Sequence, residues 1–409
     1  MAGNKKMADS VRTMVGRRGA IRLSAGLAVA ATLPRAAWAA DPVKIGVVVP
    51  LAGAFAVSGQ DVLSGARLAA AEINAAGGIK ALGGRLLELV PGDAGQSPEN
   101  AVTTARRILN SQPVAAIGSW YSSLSLAATQ VAEQRKIPWL TGSITDGLVN
   151  RGFKYTFQLS DGSEAAALGL LDAVEKVSGA NARLAILTDN NAANVDMKAF
   201  LKRKIAAPFV SEQTWTPPLA DATPAVTAAL RAEPTAFYLG ATSTSDQVLL
   251  LKQLAAQGNT APIIMGASSA ANPIFLDAVG PKGVEGVVVV TGISFPGKGT
   301  EDLVRRYTAA TKQPFMDCEA YTGYGNIHII ALALEKAGKA EPEAVRDALA
   351  SMDAADVPAL AGFPGGKRLQ FAPNGRRAGV TVELVQWQNG VPHVTSPPEL
   401  ATAELKKKI

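Results

Sequence analysis

The residues best placed to do chemistry in this chain are hydroxyls, gathered in two short turns. The stretch from Val114 to Thr145 reads VAAIGSWYSSLSLAATQVAEQRKIPWLTGSIT. Val114 to Ile117 has the pattern of a buried strand, and Ile137 to Leu140 of a second. Ser122 and Ser123 follow the first and precede a helix-compatible run from Leu124 to Arg135. Gly142, Ser143, Ile144 and Thr145 follow the second. Both turns therefore leave the carboxyl ends of strands, where open α/β sheets bind ligands. Hydroxyls and backbone N–H groups at a helix start suit an anion such as a carboxylate. Ser and Thr also cap helices with no ligand present, so the turns acquire a function only from their context.

Other chemistry is poorly supplied. Two histidines, His328 and His393, and one cysteine, Cys318, give little material for a metal site. Gly323-Tyr324-Gly325 lacks the third glycine of a dinucleotide loop and lies inside a helical pattern. No nucleophile elbow, P-loop or cofactor motif is present. Carboxylate pairs such as Glu301-Asp302 read as helix-start charges. We therefore expect no catalytic residue, no metal, no cofactor and no enzyme; a secreted α/β enzyme working through paired carboxylates is the weakest alternative.

The elements that position the turns alternate regularly. Val43 opens a β-branched strand, and Gln60 to Ala76 is a helix stopped by Gly77-Gly78. Ser97-Pro98-Glu99 is a helix start, and a strand spans Tyr155 to Ser160. A second series follows: strands at Leu184–Leu187, Phe209–Gln213, Ala236–Leu239, Ile263–Met265 and Val287–Val290. Helices lie between them, at Asp196–Ile205, from Thr223-Pro224 and at Thr244–Gln257. Tyr321 to Ala337 is a long helix, and Gly379 to Trp387 a last strand. The alternation predicts parallel sheets covered on both faces, in two α/β lobes divided near residue 160. A chain of 409 residues is long enough for both.

The net charge of +6 does not indicate nucleic acid. Residues 1–39 carry seven basic residues against Asp9 alone, and the remaining 33 basic and 33 acidic residues cancel. That segment has the parts of an export signal: the pair Arg17-Arg18, an apolar run from Leu23 to Leu33, and the small-x-small site Ala37-Trp38-Ala39. The run is too short to span a membrane as a stable helix. A single cysteine allows no internal disulfide, which an exported protein with a large core tolerates.

Several of these segments resemble the solute-binding proteins of ABC importers. They are the signal, VKIGVVVPLAGAFAVSGQDVLSGARLAAAEINAAGGI, IGSWYSS, TGSIT and VQWQNG. The nearest group is the branched-chain amino acid (leucine/isoleucine/valine) type. The resemblance implies the type I periplasmic binding fold: two doubly wound parallel-sheet lobes joined by three crossovers, near residues 160, 291 and 360. Residues 40–160 with 291–360 would form lobe 1, and 161–290 with 361–409 lobe 2. It implies a monomer in the periplasm that closes on a small carboxylate and delivers it to an inner-membrane ABC permease. A sensory receptor subunit with the same fold is the alternative.

The resemblance also implies site residues. Ser122 would hold the ligand carboxylate, with Ser143 and Thr145 completing the shell and Tyr121 beside it. Departures fall at Ser58, Ala193 and Thr242, where the family often carries rings, and at Ser268, where it carries the acid that meets an ammonium. Glu319 stands where the family often packs an aromatic side chain, and would replace that acid if it pointed into the cleft. The carboxylate shell is thus kept and the ammonium shell is not. The ligand expected is a carboxylate bulkier than leucine, isoleucine or valine. N-terminal sequencing of the exported protein should read from Ala40; an intact Met1 on membrane-bound material would refute cleavage after Ala39.

Overall fold

The computed structural model describes residues 41–204, 209–292, 294–363 and 365–407. The export segment and its Ala39 site lie outside them. The strands are β1 (Val43–Val49), β2 (Leu87–Asp93), β3 (Ala115–Gly118), β4 (Trp139–Thr141), β5 (Thr156–Gln158), β6 (Leu184–Asp189) and β7 (Ser211–Trp215). They continue as β8 (Ala236–Gly240), β9 (Ile263–Gly266), β10 (Val288–Thr291), β11 (Asp353–Ala354), β12 (Leu369–Gln370), β13 (Glu383–Gln388) and β14 (Val391–Ser396). The helices are α1 (Ala56–Ala75), α2 (Pro98–Leu109), α3 (Ser122–Arg135), α4 (Ser163–Ser178), α5 (Ala192–Lys204) and α6 (Thr223–Arg231). The remainder are α7 (Thr244–Ala256), α8 (Ile274–Val284), α9 (Glu301–Thr311), α10 (Cys318–Ala337) and α11 (Pro342–Ala350).

The first sheet has the order β2-β1-β3-β4-β5, parallel throughout. The second runs β14-β13-β10-β9-β8-β6-β7. Its five strands from β10 to β7 are parallel, while β13 and β14 form an antiparallel edge. The strict alternation expected from sequence therefore ends at the carboxyl-terminal hairpin, where Asn389-Gly390 turns the chain directly back. In each sheet the strand order reverses once, between β1 and β3 and between β6 and β8. Such a switch point leaves a crevice at the strands' carboxyl ends.

Each sheet has its own core. Val47, Ile117, Trp139 and Leu140 belong to the first, and Leu187, Phe237, Met265 and Trp387 to the second. Phe363, Leu369 and Phe371 also pack in the first core. The ribbon of β11 and β12 thus stays with the first lobe, and we place the third crossing after Ala378 instead of near residue 360. The physical reason is that Leu369 and Phe371 need an apolar partner, and Phe157 on β5 provides it, with ring centroids 5.0 Å apart for the Phe157–Phe371 pair. The crossings are laced together where they meet: Asp161 N–H donates to Gly292 O and Arg377 N–H to Gln158 O.

Three helices begin earlier than the apolar pattern suggests. Ser122 and Ser123 form the first turn of α3, Ala192 opens α5, and Cys318 opens α10, which places Glu319 on the helix. A first turn takes caps and polar residues, so hydrophobic periodicity starts late.

Helices α1 and α10 touch backbone to backbone. A Cβ on Gly65 would lie 1.8 Å from Ala320 O, and one on Gly323 would lie 2.1 Å from Val62 O. Gly323→Ala should therefore push the helices apart and lower stability by about 1–3 kcal/mol. Gly147→Ala meets its nearest atom at 3.4 Å and should change little. Urea unfolding of both variants checks this; equal stability would mean the helix pair can slide to accept a methyl.

Candidate functional site

The first hydroxyl turn depends on Gly118. A Cβ there would lie 2.1 Å from the Trp139 indole nitrogen, so only glycine lets that ring cover the end of β3. The chain then folds on itself. Ser119 Oγ accepts from Tyr121 N–H at 2.9 Å, while Ser125 Oγ and Thr141 Oγ1 both donate to Ser119 O. Thr141 Oγ1 accepts from Ser143 N–H at 3.1 Å, which ties the second turn to the first. The outcome is a hydroxyl pair, Ser122 Oγ and Ser143 Oγ, 2.8 Å apart at the start of α3. Ser143 O is held from behind by Ser160 Oγ and Gln158 Nε2.

The second lobe presents three loops, and Asp189 at the end of β6 organises two of them. Its carboxyl accepts from Asn191 N–H at 3.0 Å, Asn194 Nδ2 at 2.6 Å and Thr242 N–H at 2.7 Å. Burial raises its pKa above the ordinary carboxylate value, and these donors pull it back. Asn191 Nδ2 in turn donates to Thr242 Oγ1 at 3.3 Å. The third loop follows β9. Ala267 has φ of 81°, a left-handed backbone unusual for a residue with a side chain, of the kind that stores about 1–3 kcal/mol at functional sites. It aims the buried 3-10 turn Ser268–Ala271.

Between the lobes lies a cavity with about 580 Å³ of space free of atoms, partly open to solvent. Trp120, Ser122, Gly142 and Ile144 wall it from the first lobe. Asn191, Ala193, Asn194, Thr242 and Ser268 form the polar and small part of the facing wall. Ala166, Met197, Tyr238 and Val290 make an apolar end. Among the described residues, none lining it is charged. Two bridges close the cleft beside it: Ser123 N–H and Oγ both donate to Asn191 Oδ1, and Thr145 Oγ1 donates to Asp196 Oδ2 at 2.8 Å.

Of the nine residues singled out from sequence, Ser122, Ala193, Thr242 and Ser268 line the cavity. Ser143 stands directly behind Ser122. Thr145 is occupied by Asp196 and bridges the lobes. Tyr121 turns away to stack on Phe55 with centroids 4.4 Å apart, and the neighbouring Trp120 takes the wall in its place. Ser58 is buried in the first turn of α1, away from the lining. Glu319 is also absent from the lining; its Oε1 is hydrogen-bonded to Ser268 Oγ, and among the described residues its Oε2 has no partner. Asp189, Asn191 and Asn194 were missed. Asp189 and Asn191 sit in a loop-like Asp-Asn-Asn run and Asn194 in the first turn of α5, and only the pairing of β6 with β8 brings Thr242 to them.

Asp189→Ala should unfold at lower urea concentration, since each buried donor left unpaired costs about 1–3 kcal/mol. Unchanged stability would show that water replaces the carboxyl without loss.

The family described as periplasmic binding protein matches residues 42–391. A Leu/Ile/Val-binding protein homolog from Brucella melitensis is 27% identical, covering 95% of this chain and 98% of its own. The fold is shared with the Streptococcus pneumoniae branched-chain amino acid transporter substrate-binding protein LivJ, solved with isoleucine. That pair has a TM-score of 0.74 and 20% identity, over 87% of this chain and 100% of LivJ. It is shared too with a solute-binding protein of an ABC transporter from R. palustris, solved with benzoate. There the TM-score is 0.74 and the identity 17%, over 90% of this chain and 99% of the other.

Proposed function

The chain belongs to the periplasmic binding protein family, and from that premise we propose that its ligand is a hydrophobic monocarboxylate instead of a zwitterionic amino acid. In this reading it is an exported, monomeric carrier, cut after Ala39, that hands the acid to an inner-membrane ABC permease and performs no chemistry. The observation that carries the ligand class is the uncharged cavity wall. The Ser122–Ser143 pair and the start of α3 offer donors to one carboxylate. Among the described residues, none on the facing wall offers an ionised acid to an ammonium, and a buried unpaired charge is costly. Trp120, Ile144, Met197, Tyr238 and Val290 offer apolar surface to a ring or alkyl chain. Benzoate in the R. palustris neighbour is a ligand of this chemistry; isoleucine in LivJ is not.

Calorimetry on unfolded-and-refolded, ligand-free protein tests the proposal with benzoate, 3-phenylpropionate, octanoate and leucine. At least one of the three acids should bind more tightly than leucine. Ser122→Ala should weaken that acid by about ten- to a hundredfold, the worth of one hydrogen bond to a charged group. Submicromolar leucine binding with no response to any of the acids would overturn it.

A further inference from the structure

Glu319 is fully buried one step behind the cavity wall, and no part of the carboxylate shell accounts for it. It sits where α10 passes between the two cores: Cys318 before it packs in the second, Ala320 after it in the first. Among the described residues, the one hydrogen-bond partner of its carboxyl is Ser268 Oγ, which belongs to the lining. The charged groups facing it are acids, Asp317 on its own helix and Asp61 on α1. Those two already share one donor, since Asn272 Nδ2 lies 2.7 Å from both Asp61 Oδ2 and Asp317 Oδ2. The thiol of Cys318 is the remaining titratable neighbour, and it is buried and brings no positive charge.

One proton occupies the Ser268–Glu319 contact, and its source decides what the cavity meets. A serine hydroxyl has one donor and two acceptor lone pairs. Were Glu319 ionised, it would consume the Ser268 proton, and only lone pairs would face the ligand, which suits an ammonium. Were Glu319 protonated, its own O–H would donate to Ser268 Oγ, and the serine proton would be free to point at the ligand.

We propose that Glu319 is a positioning residue for ligand choice: it stands neutral behind Ser268 and turns the serine O–H toward an uncharged oxygen on the bound acid. The proposal rests on the monocarboxylate reading and narrows it to acids with a second oxygen, such as oxo or hydroxy acids. Two observations favour the neutral form. An ionised carboxylate here would have a single hydrogen bond and a bare Oε2, whereas in the neutral acid Oε2 is an ordinary carbonyl oxygen. Burial first, and the nearby Asp317 second, push the Glu319 pKa well above the carboxylate range, with Ser268 alone opposing them.

The test compares phenylpyruvate and 4-hydroxyphenylacetate with 3-phenylpropionate and phenylalanine by calorimetry. An oxygen-bearing acid should exceed the bare acid on the order of fivefold, about one neutral hydrogen bond. Ser268→Ala should erase that preference. Glu319→Gln should keep it, because the amide N–H2 still donates to Ser268 Oγ. In the wild type the preference is present at low pH and is lost as pH rises through the titration of Glu319; in Glu319→Gln it is flat. Phenylalanine binding tightest, with Glu319→Gln abolishing it, would overturn the proposal. Infrared difference spectra of ligand-free wild type against Glu319→Gln at neutral pH add a readout that needs no ligand. Loss of a protonated-carboxyl C=O band supports the neutral acid, and loss of a carboxylate band overturns it. If no acid binds while that C=O band is lost, the monocarboxylate reading fails and the neutral Glu319 stands.

Discussion

The contact between α1 and α10 fixes more of this molecule than any other. Gly65 and Gly323 let two helices approach until carbonyl oxygens lie where a methyl would otherwise be. A polar contact then locks the pair in register, with Tyr324 Oη donating to Glu72 Oε2 at 2.8 Å. Because α10 starts in the second core and ends in the first, its register on α1 sets where Asp61, Asp317 and Glu319 meet the second lobe. A shift of one turn would move each carboxyl by about 5.4 Å and separate it from Asn272 or Ser268.

The cleft follows from parallel sheets facing each other. Both switch points put loops and helix starts at the strands' carboxyl ends, so the shared gap is walled by backbone donors, hydroxyls and amides. Neither side needs a cation to attract an anion. Asp189 shows how this is achieved, since a charged group is kept one layer back, where it orders Asn191, Asn194 and Thr242 and leaves the lining neutral.

Much of this was legible in the residues. Strand positions followed from short apolar runs, and the two hydroxyl turns from their place after β3 and β4. Lobe count followed from the alternation. What was not legible depends on partners distant in sequence. Thr145 looks like its neighbour Ser143, and only the packing of α3 against α5 gives it Asp196. Tyr121 and Trp120 are adjacent rings, and Phe55, sixty-six positions earlier than Tyr121, decides which one faces the cavity. The third crossing was misplaced because a two-residue ribbon has too few residues to show a period, although Leu369 and Phe371 hold it in the first core.

On the proposed reading, an anion held only by dipoles has a consequence for release. Hydroxyl and amide donors are strong partners when water is excluded and weak ones when it is not. Affinity therefore resides in the closed cleft as a whole, since Ser122 stands on one lobe and Ser268 on the other. Asn191 makes this coupling concrete: it walls the cavity and also accepts from Ser123 across the gap. A ligand that contacts both walls favours closure by its differential contacts alone. Any partner that separates Ser123 from Asn191 admits water to the carboxylate and removes the condition on which its binding depends. Opening and release are then one event, with no charge left in the wall to retain the anion.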